Sequence, residues 1–165
     1  MEMKRFWRHV LMSPLQARRA FPEAALDAVQ REIAALEKTH SGEVCFVVEA
    51  ELETAQLWRG LASRERAREV FALQGVWNTE QNNGVLIYLL LADRKVEIVA
   101  DRGVDAKVGP QEWQRIVGAM EAHFGSGRFT EGALAGVREV SAILARHFPA
   151  AEGDRNELGD RPVLM

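Results

Sequence analysis

The sequence predicts an α/β fold: three α/β/α layers, with a small mixed sheet (a βαβ unit plus a β-hairpin) flanked by helices. Three observations predict it. The run from Gly84 to Leu91 (GVLIYLLL) has the length and composition of a strand buried on both faces. After a turn at Ala92-Asp93-Arg94, apolar Val96, Ile98 and Ala100 alternate with Lys95, Glu97 and Asp101, as on the second strand of a hairpin. Residues 43–49, 63–74 and 84–91 read as strand, helix and strand, a crossover that sets its two strands parallel.

Each element has its own signal. The first residues, from Met1 to Ser13, are basic with broken apolar positions, too interrupted for a signal-peptide core. This stretch suits either a membrane surface or docking on its own domain, and its shortness favours self-docking. Ser13-Pro14 opens a short helical piece, with Ser as cap and Pro as first helical residue. A helix from Pro22 to Lys38 carries Leu26, Val29, Ile33 and Leu36 at helical spacing, and Gly42 suits a left-handed cap beyond it. Glu43 to Glu49 is the first strand. Residues 50–62 read as loop with one turn of helix, interrupted at Gly60. The helix after Ser63 buries Ala67, Val70, Phe71 and Leu73, and its polar positions Arg64, Glu65, Arg66, Arg68 and Glu69 read as a solvated face. Trp77 reads as a core anchor.

Trp113, Ile116, Val117, Met120 and Phe124 form an apolar stripe on a helix that starts at Pro110. A last helix, about Phe129 to His147, buries Leu134, Val137, Val140, Ile143 and Leu144. Gly132 and Gly136 share one face of it. A helical glycine costs about 1 kcal/mol relative to alanine, which close approach of another element explains. These signals divide the chain into an N-terminal helical segment (1–21), an α/β domain (22–149) and a flexible C-terminal tail (150–165) without apolar periodicity.

Composition narrows the function. The chain has 165 residues, 47% hydrophobic and 27% charged, as expected of one globular domain. A net charge of −3 supplies no basic field for nucleic acid. No stretch approaches the roughly 20 apolar residues of a transmembrane helix. The lone Cys45 reads as a buried, inert thiol that needs no oxidising compartment, so a cytoplasmic location is expected.

Hairpin pairing brings Thr79-Glu80-Gln81-Asn82-Asn83-Gly84 beside Ala100-Asp101-Arg102-Gly103-Val104-Asp105. A parallel first strand adds Ser41 and Glu43 at the same end. Glu80, Asn82, Asn83, Asp101 and Asp105, with Glu43, offer hard oxygen ligands suited to Ca²⁺ or Mg²⁺ rather than zinc. Ordinary turn chemistry explains the same residues, since Asn and Asp bond their own backbone in turns. Asp101 and Arg102 are also the candidates for catalysis, as a carboxylate and a phosphate-pairing guanidinium; a structural ion pair is the alternative. The four histidines suit no zinc spacing.

Thr39-His40-Ser41-Gly42-Glu43, Asn82-Asn83-Gly84, Asp101-Arg102-Gly103 and Gly127-Arg128-Phe129-Thr130-Glu131-Gly132 resemble, in order and spacing, the TPM domain family over Ala24 to Phe148. The resemblance implies a compact α/β/α domain with divalent cation binding, and acid phosphatase activity has been attributed to some members. Many members carry an acidic segment before the first long helix, where this chain has Ala20-Phe21-Pro22-Glu23. The function expected is a cytoplasmic adaptor or accessory domain that holds a divalent cation weakly and acts through a protein partner, itself membrane-associated. The alternatives are a metal-assisted acid phosphatase and a purely structural interaction module.

Overall fold

The computed structural model describes residues 3–150 and 156–165. Two short helices, α1 (Met3–Leu11) and α2 (Pro14–Ala20), precede α3 (Glu23–Leu36). Ser13 caps α2: its hydroxyl accepts from the Gln16 amide, and the Gln16 side chain accepts from the Ser13 amide. Then come β1 (Glu43–Glu49), α4 (Thr54–Trp58), α5 (Ser63–Leu73), β2 (Gly84–Leu90), β3 (Lys95–Ala100), α6 (Arg102–Asp105), α7 (Pro110–Gly125), α8 (Phe129–His147) and β4 (Val163–Leu164).

The sheet has the order β3-β2-β1-β4. β1 runs parallel to β2 in the register Phe46↔Ile87, and β2 runs antiparallel to β3 with Ile87 opposite Ile98. The two-residue period of a strand sends alternate side chains into two cores. Val44, Phe46, Val48, Val85, Ile87 and Leu89 face one core with residues of α3, α7 and α8. Cys45, Val47, Leu86, Tyr88 and Leu90 face the other with Ala67 and Val70 of α5. The molecule is therefore an α/β/α arrangement around a mixed sheet, as the sequence predicts. Among the described residues, no helix is long and apolar enough to cross a membrane.

Several details differ from the sequence reading. Part of the expected mobile tail is ordered: Val163 and Leu164 form a fourth strand, parallel to β1. The Met165 amide bonds the Val48 carbonyl at 2.8 Å, and the Ala50 amide bonds the Met165 carbonyl at 3.0 Å, covering the open edge of β1. Residues 151–155 of that tail lie outside the described residues. Gly42 is no left-handed cap; α3 instead closes through a 3-10 turn, Glu37–Thr39. Gly42 has a packing reason, since a Cβ there would stand 2.7 Å from a Leu144 methyl.

Trp77 is 57% exposed rather than a core anchor, because its neighbour Val76 takes the buried position, and Leu73 is exposed too. Arg66 leaves the solvated face of α5 and is buried. The close approach expected at Gly132 and Gly136 is there: a Cβ would collide with Phe124 and His123 at the first, and with Met120 at the second.

Candidate functional site

The polar rim lies at the amino ends of β1 and β2, where the hairpin pairing puts it. The Asp101 amide bonds the Gly84 carbonyl at 2.8 Å, and the Gly103 amide bonds the Asn82 carbonyl at 3.0 Å. Asn82 adopts a left-handed backbone, φ 52, in the bend that makes this possible. Gly103 is required by proximity: a Cβ would stand 2.5 Å from the Asn82 carbonyl oxygen and 2.8 Å from that of Gln81. The Arg102 Nε donates to Asn82 Oδ1 at 3.0 Å, tying the two loops through side chains as well.

Asn83 is buried at the centre of the rim. Its amide N–H bonds Thr79 Oγ1 at 3.0 Å, and its Nδ2 donates to the Ser41 carbonyl at 2.6 Å. Its side-chain oxygen, Oδ1, is buried with no hydrogen-bond partner. Asp101 repeats the pattern. Its Oδ1 accepts from the Arg102 amide at 2.7 Å, capping α6, while its Oδ2 is buried and unpaired. Two buried oxygen acceptors on adjoining loops thus lack donors, an arrangement with a desolvation cost unless something supplies positive charge or hydrogen.

The other candidates fall differently. Ser41 Oγ reaches Gln81 Oε1 at 3.4 Å. The Glu43 carboxylate is buried and accepts from the amides of Glu157 (2.9 Å) and Leu158 (3.1 Å). Glu80 is exposed, and its amide is bonded by the Glu157 carboxylate. Asp105 is exposed on α6. Among the described residues, no three of His, Cys, Asp and Glu gather closely enough to hold a metal ion. A cation here would rely on amide and carbonyl oxygens as much as on carboxylates.

Three acidic residues that the sequence reading did not include stand at this end. Glu157 and Asp160 arrive from the tail, and Glu37 from the turn after α3. Glu37 Oε1 accepts from the Val44 amide at 3.1 Å. Burial pushes its carboxyl up to about 8, against the Val44 bond and with help from the nearby charges of Glu43 and Asp160. Glu157 and Asp160 have no sequence signal beyond acidity in a segment without periodicity, and Glu37 reads only as a polar position of the helix expected over 22–38.

The carboxyl ends of β1 and β2 hold ionic groups of another kind. Arg66 Nη2 and Nε donate to the Glu49 carboxylate at 2.8 and 3.0 Å, and the Tyr88 hydroxyl donates to the same carboxylate. The bonds to Glu49 raise the Arg66 pKa; burial and the Glu49 bond raise that of Tyr88. Arg66 stays charged and Tyr88 neutral at any physiological pH, so the trio is structural rather than a proton relay. A groove of about 810 Å³ opens elsewhere, lined by Met12, Arg19, Leu89, Leu91, Phe124 and Phe129 among others, and no rim residue lines it.

The family model described as the TPM domain matches residues 17–143. The fold is similar to the NMR structure of the BA42 protein from the psychrophilic bacterium Bizionia argentinensis. The TM-score is 0.76 and the identity 28%, over 86% of this chain and 93% of that one. It is also similar in fold to the N-terminal domain of a P. gingivalis protein, with TM-score 0.61 and 24% identity, over 80% of this chain and 83% of that one. No curated protein matches the chain.

Proposed function

The chain belongs to the TPM domain family, and from that premise we propose that it is a cytoplasmic accessory domain whose rim holds one hard divalent cation, Ca²⁺ or Mg²⁺, and engages a protein partner. The observation that carries this reading is the pair of unpaired buried oxygens, Asn83 Oδ1 and Asp101 Oδ2, on the two loops that the hairpin joins. Hard cations take oxygen ligands of this kind and complete their shell with carbonyls and water. Asp101 and Asn83 would hold the ion, with Asn82, Glu80 and Asp105 close in sequence to complete the shell. The ion would fix loop 79–83 against α6, and with it the surface offered to a partner.

This reading is favoured over a metal-assisted acid phosphatase. Asp101 Oδ1 caps α6 and Arg102 Nε is bonded to Asn82, so both side chains are tied into the turn. Titration of Ca²⁺ and Mg²⁺, followed by backbone amide shifts, tests the proposal. Shifts confined to residues 80–84 and 100–105 support it, and none at millimolar ion contradicts it. Hydrolysis of a generic phosphate ester that EDTA abolishes would favour the phosphatase.

A further inference from the structure

We propose that helix α1, together with Trp58 of α4, is a docking face for an anionic lipid bilayer. The proposal concerns the end of the sheet opposite the rim and is independent of the cation.

Helix α1 packs on the domain with its hydrophilic side inward. Arg5 donates from Nε and Nη2 to the Asp93 carboxylate, at 2.9 and 2.7 Å, and from Nη2 to the Leu61 carbonyl at 2.7 Å. His9 is fully buried. Its Nδ1 accepts from the Leu52 amide at 2.9 Å, which leaves the proton on Nε2 to donate to Asp93 at 3.0 Å. Asp93 sits in the turn between β2 and β3, so these bonds fasten the helix to the carboxyl end of the sheet.

The opposite side of the same helix is apolar and faces out. Met3, Trp7, Val10 and Leu11 recur at helical spacing on one stripe, and they are 72, 53, 49 and 70% exposed. Trp58, 67% exposed, extends the stripe: its ring lies 6.4 Å from Phe6, which in turn stands edge-on to Trp7 at 5.8 Å. Contiguous large apolar side chains left in water, beside a face already committed to ion pairs, mark an interaction surface.

Charge identifies the occupant. From Met1 to Pro22 the chain carries Lys4, Arg5, Arg8, Arg18 and Arg19 against a single acidic residue, Glu2, although its overall charge is −3. Lys4 and Arg59 are exposed and make no ion pair among the described residues. A second copy docked on this face by a twofold axis would set these cations against themselves. An anionic bilayer satisfies both features: tryptophan and aliphatic side chains enter the headgroup boundary while lysine and arginine meet lipid phosphates.

Flotation of the full-length protein with phosphatidylcholine vesicles, with and without phosphatidylserine, tests this. The expected result is co-flotation with the phosphatidylserine vesicles only, lost at high salt. Trp7→Glu and Leu11→Glu should each abolish it, and Lys4→Glu should weaken it by roughly tenfold. All three positions are exposed, so each variant should melt like wild type; Leu11, 70% exposed, serves if Trp7→Glu disturbs Phe6. Equal binding to both vesicles, binding that both Glu variants retain, or no binding overturns the proposal. So does a dimer by light scattering that Trp7→Glu dissolves while vesicles are ignored.

Discussion

Gly84 lies under the Val76 carbonyl so closely that a Cβ on it would stand 2.1 Å from that oxygen. The first residue of the central strand is therefore fixed as glycine by the chain that crosses it. Gly84→Ala should destabilise the domain by about 1–3 kcal/mol, as forced overpacking does. Gly118 has the opposite setting: it lies within α7, exposed, with nothing near the place of a Cβ. Gly118→Ala should stabilise by up to about 1 kcal/mol. Urea melts of both variants check the two signs together.

Arg66 and Glu49 make the most buried guanidinium–carboxylate pair among the described residues, and Tyr88 shares the carboxylate. Arg66→Ala leaves Glu49 without its countercharge in a dry setting and should cost about 3–5 kcal/mol. Arg115 and Glu139 form an exposed pair at 2.7 Å. Arg115→Ala should leave the denaturation midpoint near wild type, because exposed pairs are screened by solvent. A similar loss in both variants would contradict the distinction.

Glu37 makes stability depend on pH. Its folded pKa, about 8, lies above its ordinary value of 4.5, so the folded protein holds the proton more tightly than the unfolded chain. The stabilising effect is complete below about pH 4.5 and is lost as pH rises through about 8. The melting temperature of the wild type should fall across that window. Glu37→Gln, which cannot ionise, should flatten the fall. Parallel pH profiles for the two proteins would remove Glu37 as the cause.

The parts of the fold visible in the sequence are those with periodicity or continuous apolar character. Residues 84–91 and 95–100 have one or the other, and antiparallel pairing then forces Gly84 beside Asp101, whose amide bonds the Gly84 carbonyl. β4 was hidden because two residues joined by main-chain bonds leave no side-chain pattern. Arg66 was hidden because it stands among Arg64, Glu65, Arg68 and Glu69, and only the third dimension tells a buried guanidinium from solvated ones. Trp77 misled because size alone does not choose which of two neighbours enters the core, and Val76 did. At the rim, the residue types could be read, but not the engagement of Glu43 by the tail or the solitary oxygens of Asn83 and Asp101.

The proposed cation is held at the rim through Asp101 and Asn83. Asp101→Asn is the cleanest variant, because asparagine caps a helix about as well as aspartate and only the charge is lost. The direct measurement is the thermal melt of both proteins in EDTA, then in rising Ca²⁺ and Mg²⁺. A ligand that binds only the folded state at a hundredfold its Kd stabilises by about 2.7 kcal/mol, and a weaker site by less. The wild-type melting temperature should rise by a few degrees with millimolar ion. Asp101→Asn should lose most of that rise while melting like wild type in EDTA. An unchanged wild type, or an equal rise in both proteins, would contradict the proposed site.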